Sequence, residues 1–246
     1  MGQKTQRLLV GRRAVLAGAL AAAACAPRGE SRVDPRRYRA FFLWAGVRAP
    51  DWLGEAEEVY VLMGEVRAGD PDGIVPLRPQ PPRAVRPRLW LTLRAERLDW
   101  GEGVYARLLG ELRRWEALGN RVTGLQIDFD AATRGLEGYA AFLAALRRRL
   151  PPRWRLSITG LLDWSAHGTV ALGSLAGVVD EMVVQTYQGR ATIPRYADYL
   201  ARMERVPVPW KVGLVEGGEW REPAGLAAHP LFRGYVVFLV DRAGQQ

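Results

Sequence analysis

An α/β fold, a small (β/α)8 TIM-like barrel with some helices shortened or missing, is what three observations in this 246-residue chain predict. Eight mostly apolar stretches of strand length recur from residue 41 onward, separated by helical stretches or long connections. Their composition suits parallel strands covered on both faces. The turn after the first, Trp44-Ala45-Gly46-Val47-Arg48, lacks the glycine-rich phosphate-binding character that an open doubly wound sheet would carry there.

The spacing predicts strands at 41–46, 58–66 and 88–94, with a proline-rich connection from Pro71 to Pro87 that excludes continuous helix. A helix over 103–118 follows from Val104, Leu108, Leu109, Leu112 and Trp115, and Gly119-Asn120 stops it. The fourth strand is Gly124-Leu125-Gln126-Ile127-Asp128-Phe129-Asp130. A helix over 135–149 ends in Arg147-Arg148-Arg149, where cations suit the helix dipole, and Pro151-Pro152 closes it. Strands at 155–161 and 181–188 enclose a short helix after Ser174. Pro194 opens a helix through Arg205, and strands at 210–216 and 234–241 complete the eight.

Residues 1–25 read as an export signal with a lipoprotein-type cysteine, 26–40 as a tether, and 41–246 as a single barrel domain. Arg12-Arg13 precede the apolar run Ala14 to Ala24, about half the length a membrane-spanning helix needs, in the manner of a twin-arginine export signal. Small residues ahead of Cys25 resemble a bacterial lipoprotein processing site, although Ala22 stands where such sites usually carry a larger aliphatic residue. A lipidated Cys25 would anchor the chain to a membrane. Cys25 is the only cysteine, so no intrachain disulfide exists. The formal net charge of +9 comes from arginine rather than lysine, with Lys4 and Lys211 the only lysines. Lys4, Arg7, Arg12 and Arg13 account for four of the nine, which leaves the exported part nearer +5 and does not suggest a nucleic-acid partner.

The fourth strand is the candidate active centre. Gln126, Asp128 and Asp130 share one face of it. Two carboxylates about 7 Å apart along a strand buried on both faces are costly unless paired or used. In such barrels the site gathers at the C-terminal ends of the strands. Of the polar residues expected at that rim, Asp128, Asp130, Gln185 and Tyr187 form the coherent set, because Gln185 and Tyr187 share a parity on the sixth strand. Trp44, Gln188 and Asp163 are expected beside them. A tryptophan there is a platform for a sugar ring. His167 and His229, the only histidines, are not at ligand spacing, so neither a metal nor another cofactor is expected, and no histidine is placed for a nucleophilic triad.

Gly124 to Asp130 resembles the fourth-strand signature of chitinase-like (family eighteen) glycoside hydrolases, and Val184-Gln185-Thr186-Tyr187-Gln188 resembles their sixth-strand motif. More closely, Leu125 to Ala131, Leu156-Ser157-Ile158-Thr159 and Gln185 to Gly189 resemble a bacterial family designated domain of unknown function 3142, which implies a barrel and no set activity. The chitinase resemblance implies Asp130 as general acid, Asp128 as the carboxylate that orients the substrate's acetamide, and Tyr187 holding that group. Gln126, Gln185, Gln188, Trp44 and Asp163 would contact the sugar. The departures are Thr123 and Gln126 at the two outer acidic positions, and Asp130 where the signature has glutamate. The expected partner is a glycan, with N-acetylated sugars in view. A non-catalytic glycan-binding lipoprotein and an inert structural barrel stay open beside the hydrolase.

Overall fold

The computed structural model describes residues 31–78, 86–130, 135–164 and 172–241. Cys25 and the stretch read as an export signal lie outside the described residues. Eight parallel strands close into a barrel: β1 (Ala40–Leu43), β2 (Glu58–Val66), β3 (Arg88–Ala95), β4 (Arg121–Asp128), β5 (Arg155–Leu161), β6 (Glu181–Gln185), β7 (Trp210–Val215) and β8 (Phe232–Phe238). Each pairs with the next in sequence, and β8 pairs back onto β1 through Val237↔Phe41 and Phe238↔Phe42.

Alternation along the strands divides the core in two. Outward residues such as Val59, Val61, Leu89, Leu91, Leu125, Ile127, Leu156 and Ile158 join the larger cluster beneath the helices. The inward set is small: Ala40, Phe42, Tyr60, Trp90, Val183 and Val236, with Trp44 and Phe238 packed against them. Tyr60 and Trp90 stack with ring centroids 5.5 Å apart.

The remaining interior is polar and paired. Lys211 Nζ donates to Glu58 Oε2 at 2.5 Å and to the Tyr60 hydroxyl at 2.8 Å, and lies 3.2 Å from Glu181 Oε2. Tyr60 in turn donates to Glu181 Oε1 at 2.5 Å. The chain of contacts continues from Ser157 on Glu181 (3.2 Å) to Gln126 on Ser157 (3.1 Å) and Thr92 on Gln126 (3.2 Å). Buried ions are tolerated only when satisfied in this way. Gly124 opens the interior stretch of β4 because a Cβ there would lie 2.0 Å from the carbonyl oxygen of Arg155 on β5.

Two long helices cover one flank. α1 (Glu102–Ala117) buries Val104, Leu108, Leu112 and Trp115, one apolar stripe at helical spacing. Its first turn is capped from afar by Asp72, whose carboxylate accepts from the Gly103 N–H at 2.8 Å. α2 (Leu136–Arg149) buries Tyr139, Leu143 and Leu146, and Arg147 at its end donates to the carbonyls of Leu150, Pro151 and Trp154. The helix expected through Arg205 is one α-helical turn, α3 (Tyr196–Leu200), running into a 3-10 turn over Ala201–Arg205. After Ser174 the chain makes turns with a bridge between Ala176 and Val179 rather than the expected helix. Residues 31–40, read as part of a tether, lie on the barrel: Ser31–Arg32 pairs antiparallel with Glu219–Trp220, and Val33 is buried.

Candidate functional site

β4 carries the site because its ladder ends where its polar face begins to open. Residues 124–128 are buried throughout, and the strand stops at Asp128, two residues short of the expected end. Asp128 sits inside the barrel mouth, 8% exposed, and accepts from the Thr159 hydroxyl on β5 at 2.8 Å. Burial pushes its carboxyl up to about 6; the Thr159 bond opposes this, the charge of Asp130 adds to it, and Arg94 opposes it weakly. Asp130 lies past the strand end and is exposed.

Both carboxyls line one cavity of about 580 Å³ at the C-terminal end of the strands, together with Trp44, Gln185 and Tyr187. Gln185 is the last residue of β6. The expected strand over 181–188 breaks at Thr186, whose N–H and hydroxyl both bond the Gly213 carbonyl, at 3.0 and 2.8 Å. Tyr187–Gln188 then pairs with Ala191–Thr192 in a hairpin whose turn uses the positive φ of Gly189. The centroid of the Tyr187 ring lies 5.4 Å from that of Phe238, and that of Trp44 also lies 5.4 Å from Phe238. Burial raises the Tyr187 hydroxyl well above its ordinary value, with the charges of Asp128 and Asp130 adding to the effect, so it stays a neutral donor.

The structure brings Asp128, Asp130, Gln185, Tyr187 and Trp44 together and leaves three expected residues off the wall. Gln126 is fully buried below, its amide held between Thr92 and Ser157. Gln188 is exposed on the hairpin. Asp163 is half-buried in the turn after β5 and does not line the cavity. Thr159, Arg190 and Phe238 belong to the site and were not singled out for it. Thr159 had a legible signal, the inward parity that Ser157 and Thr159 share against Leu156 and Ile158. Among the described residues no group of three His, Cys, Asp or Glu side chains is placed to hold a metal ion.

Residues 90–205 match the family model described as Domain of unknown function (DUF3142). The matched stretch runs from Trp90 in β3 to Arg205 and contains Asp128, Asp130, Gln185 and Tyr187. No curated protein matches the chain in sequence. Among solved structures, the spore cortex-lytic enzyme SleL of Bacillus cereus is 16% identical with a TM-score of 0.51, covering 72% of this chain and 50% of its own. The spore cortex-lytic enzyme SleL of Bacillus megaterium QM B1551 is 14% identical with a TM-score of 0.52, covering 72% of this chain and 49% of its own. The catalytic domain of a family GH18 chitinase from the fern Peteris ryukyuensis is 13% identical with a TM-score of 0.51, covering 83% and 92%. The chain therefore spans about half the length of the two spore enzymes. At these identities the likeness shows the fold alone, a closed (β/α)8 barrel.

Proposed function

We propose that the cavity binds an N-acylated glycan and that the protein is a glycoside hydrolase-like barrel with Asp130 as its general acid. One observation carries this: a buried carboxyl, Asp128, held protonated to about pH 6, lies two residues from an open carboxyl in a cavity that also presents a neutral tyrosine hydroxyl and an indole. The barrel shared with a GH18 chitinase supports the reading, since such a site needs little more from the protein. In chitinase-like enzymes the substrate's own acyl group attacks the anomeric carbon, so one protein acid suffices. Asp130, at the cavity mouth, protonates the departing glycosidic oxygen. Asp128 and Tyr187 hold the acyl group from below, and Trp44 offers a face for the sugar ring.

Asp130→Asn keeps the size and removes the acid. It should lower turnover of labelled N-acetylated oligosaccharides by about 10²- to 10⁴-fold while calorimetry still registers binding. Turnover that survives shows that another group is the acid. Binding by the wild type without turnover assigns the protein to the non-catalytic glycan binders, a reading favoured by Asp130 being a methylene shorter than glutamate. Export and anchoring through Cys25 complete the proposal, and place the glycan at the cell envelope.

A further inference from the structure

The cavity wall also carries cationic groups, which the reading above leaves without a role. Arg94, near the end of β3, occupies the register position beside Asp128 and lines the cavity. Among the described residues its guanidinium makes no hydrogen bond and no ion pair, although Asp128 and Asp130 share its wall. Arg190 lines the same cavity from the hairpin, with one N–H donated to the Asp241 carbonyl at 2.9 Å and the rest of its fork uncommitted. A second hollow, of about 660 Å³, adjoins the first through shared Val47, Val240 and Asp241. Arg48 lines it, exposed and likewise without an ion pair among the described residues.

Guanidinium forks fit carboxylates and phosphates in a planar, two-point contact that an ammonium does not reproduce. Asp128 already has its donor in Thr159. Among the described residues Asp130 makes no ion pair with Arg94, Arg190 or Arg48. Two joined hollows with uncommitted forks suit a chain ligand that brings its own anions. Resting on the glycan reading above, we propose that the joined hollows take a sugar chain bearing carboxylate groups, with Arg94 as the fork beside the reacting sugar. Arg94 is then a specificity residue, distinct in role from the carboxyl pair next to it.

The test uses the full chain and a matched pair of ligands in calorimetry. One is a neutral β-linked N-acetylglucosamine oligomer, the other the same oligomer with lactyl carboxylates on alternate sugars. Inorganic phosphate forms a third arm. The wild type should prefer the carboxylated oligomer by about tenfold or more, as one charge-assisted bond provides, and the preference should shrink with added salt. Arg94→Gln should bring the ratio of the two affinities toward one. Arg94→Lys, which keeps the charge and loses the fork, should fall between. Equal affinities in the wild type overturn the inference and leave the glycan reading standing. Binding of neither oligomer overturns that reading and this inference with it. A preference that persists in Arg94→Gln removes Arg94 from the role, and saturable binding of phosphate without preference for the carboxylated oligomer makes the cluster a phosphate site instead.

Discussion

Replacing Asp128 by Asn should stabilise the protein at neutral pH and leave its stability nearly unchanged at acid pH. Burial raises the Asp128 carboxyl from 3.8 to about 6. A group raised in this way contributes stability that is fully present below 3.8 and is lost as pH rises through about 6, because the folded state must then hold a buried charge. Two pH steps at about 1.36 kcal/mol each put the loss at about 3 kcal/mol on the alkaline side. Asn copies the shape of the protonated acid, and its Oδ1 can accept the same Thr159 hydroxyl. Urea unfolding of both proteins from about pH 4 to about pH 8 is the assay, with the slopes compared to exclude a change in the unfolded state. The curves should meet at the acid end and separate by about 3 kcal/mol at the other, or about 6–12 °C in Tm for a domain of this size. A difference that does not vary with pH, or a variant weaker at about pH 8, refutes the assignment of a raised, buried carboxyl to this position. Retention of an acid at that cost is itself an argument that Asp128 is used.

Three further outcomes follow from the same geometry. If the ionised Asp128 steadies the substrate's acyl group, turnover should rise as pH rises through about 6, and a pH–rate profile of Asp128→Asn should lack that limb. Lys211→Met should cost about 3–5 kcal/mol in denaturant unfolding near neutral pH, because Glu58 and Glu181 lose their shared cation. Its Lys211 partnership outweighs burial enough to hold Glu58 below the ordinary carboxylate value, so in the wild type that stability is present above pH 4.5 and lost as pH falls below it. Mass spectrometry of the native protein should find Cys25 as the modified first residue; an unmodified N-terminus elsewhere removes the lipid anchor and leaves export intact.

Element order was legible because parallel strands and surface helices obey two different periods, and both long helices carry their stripe in plain sight. The site was legible in part. Asp128, Asp130, Gln185 and Tyr187 were named from strand parity, and the cavity joins them, but Asp130 was read as a strand residue. Alternation continued in the sequence for two residues after the ladder had stopped, and nothing in the residues marks that end. Gln126 was assigned to the sugar because parity reports which face a side chain takes and not how deep it lies. Lys211 and Glu58 are 153 residues apart, and only barrel closure shows them to be partners. The break at Thr186 likewise depends on Gly213, a residue on another strand.

The join between β8 and β1 rests on two register pairs, Val237↔Phe41 and Phe238↔Phe42, the shortest ladder in the barrel, between segments nearly two hundred residues apart. Tilted and edge-on ring contacts across it are supplied by Phe42, Trp44 and Phe238, and two of these three also line the cavity.

 The mouth of the barrel therefore straddles its own seam. A ligand that touches Trp44 and Phe238 together acts as a staple across the weakest join, and by mass action it holds shut the strands that made its site. Hydrogen exchange along β1 and β8 would slow with occupancy, so the seam serves as a gauge of whether the cavity is filled.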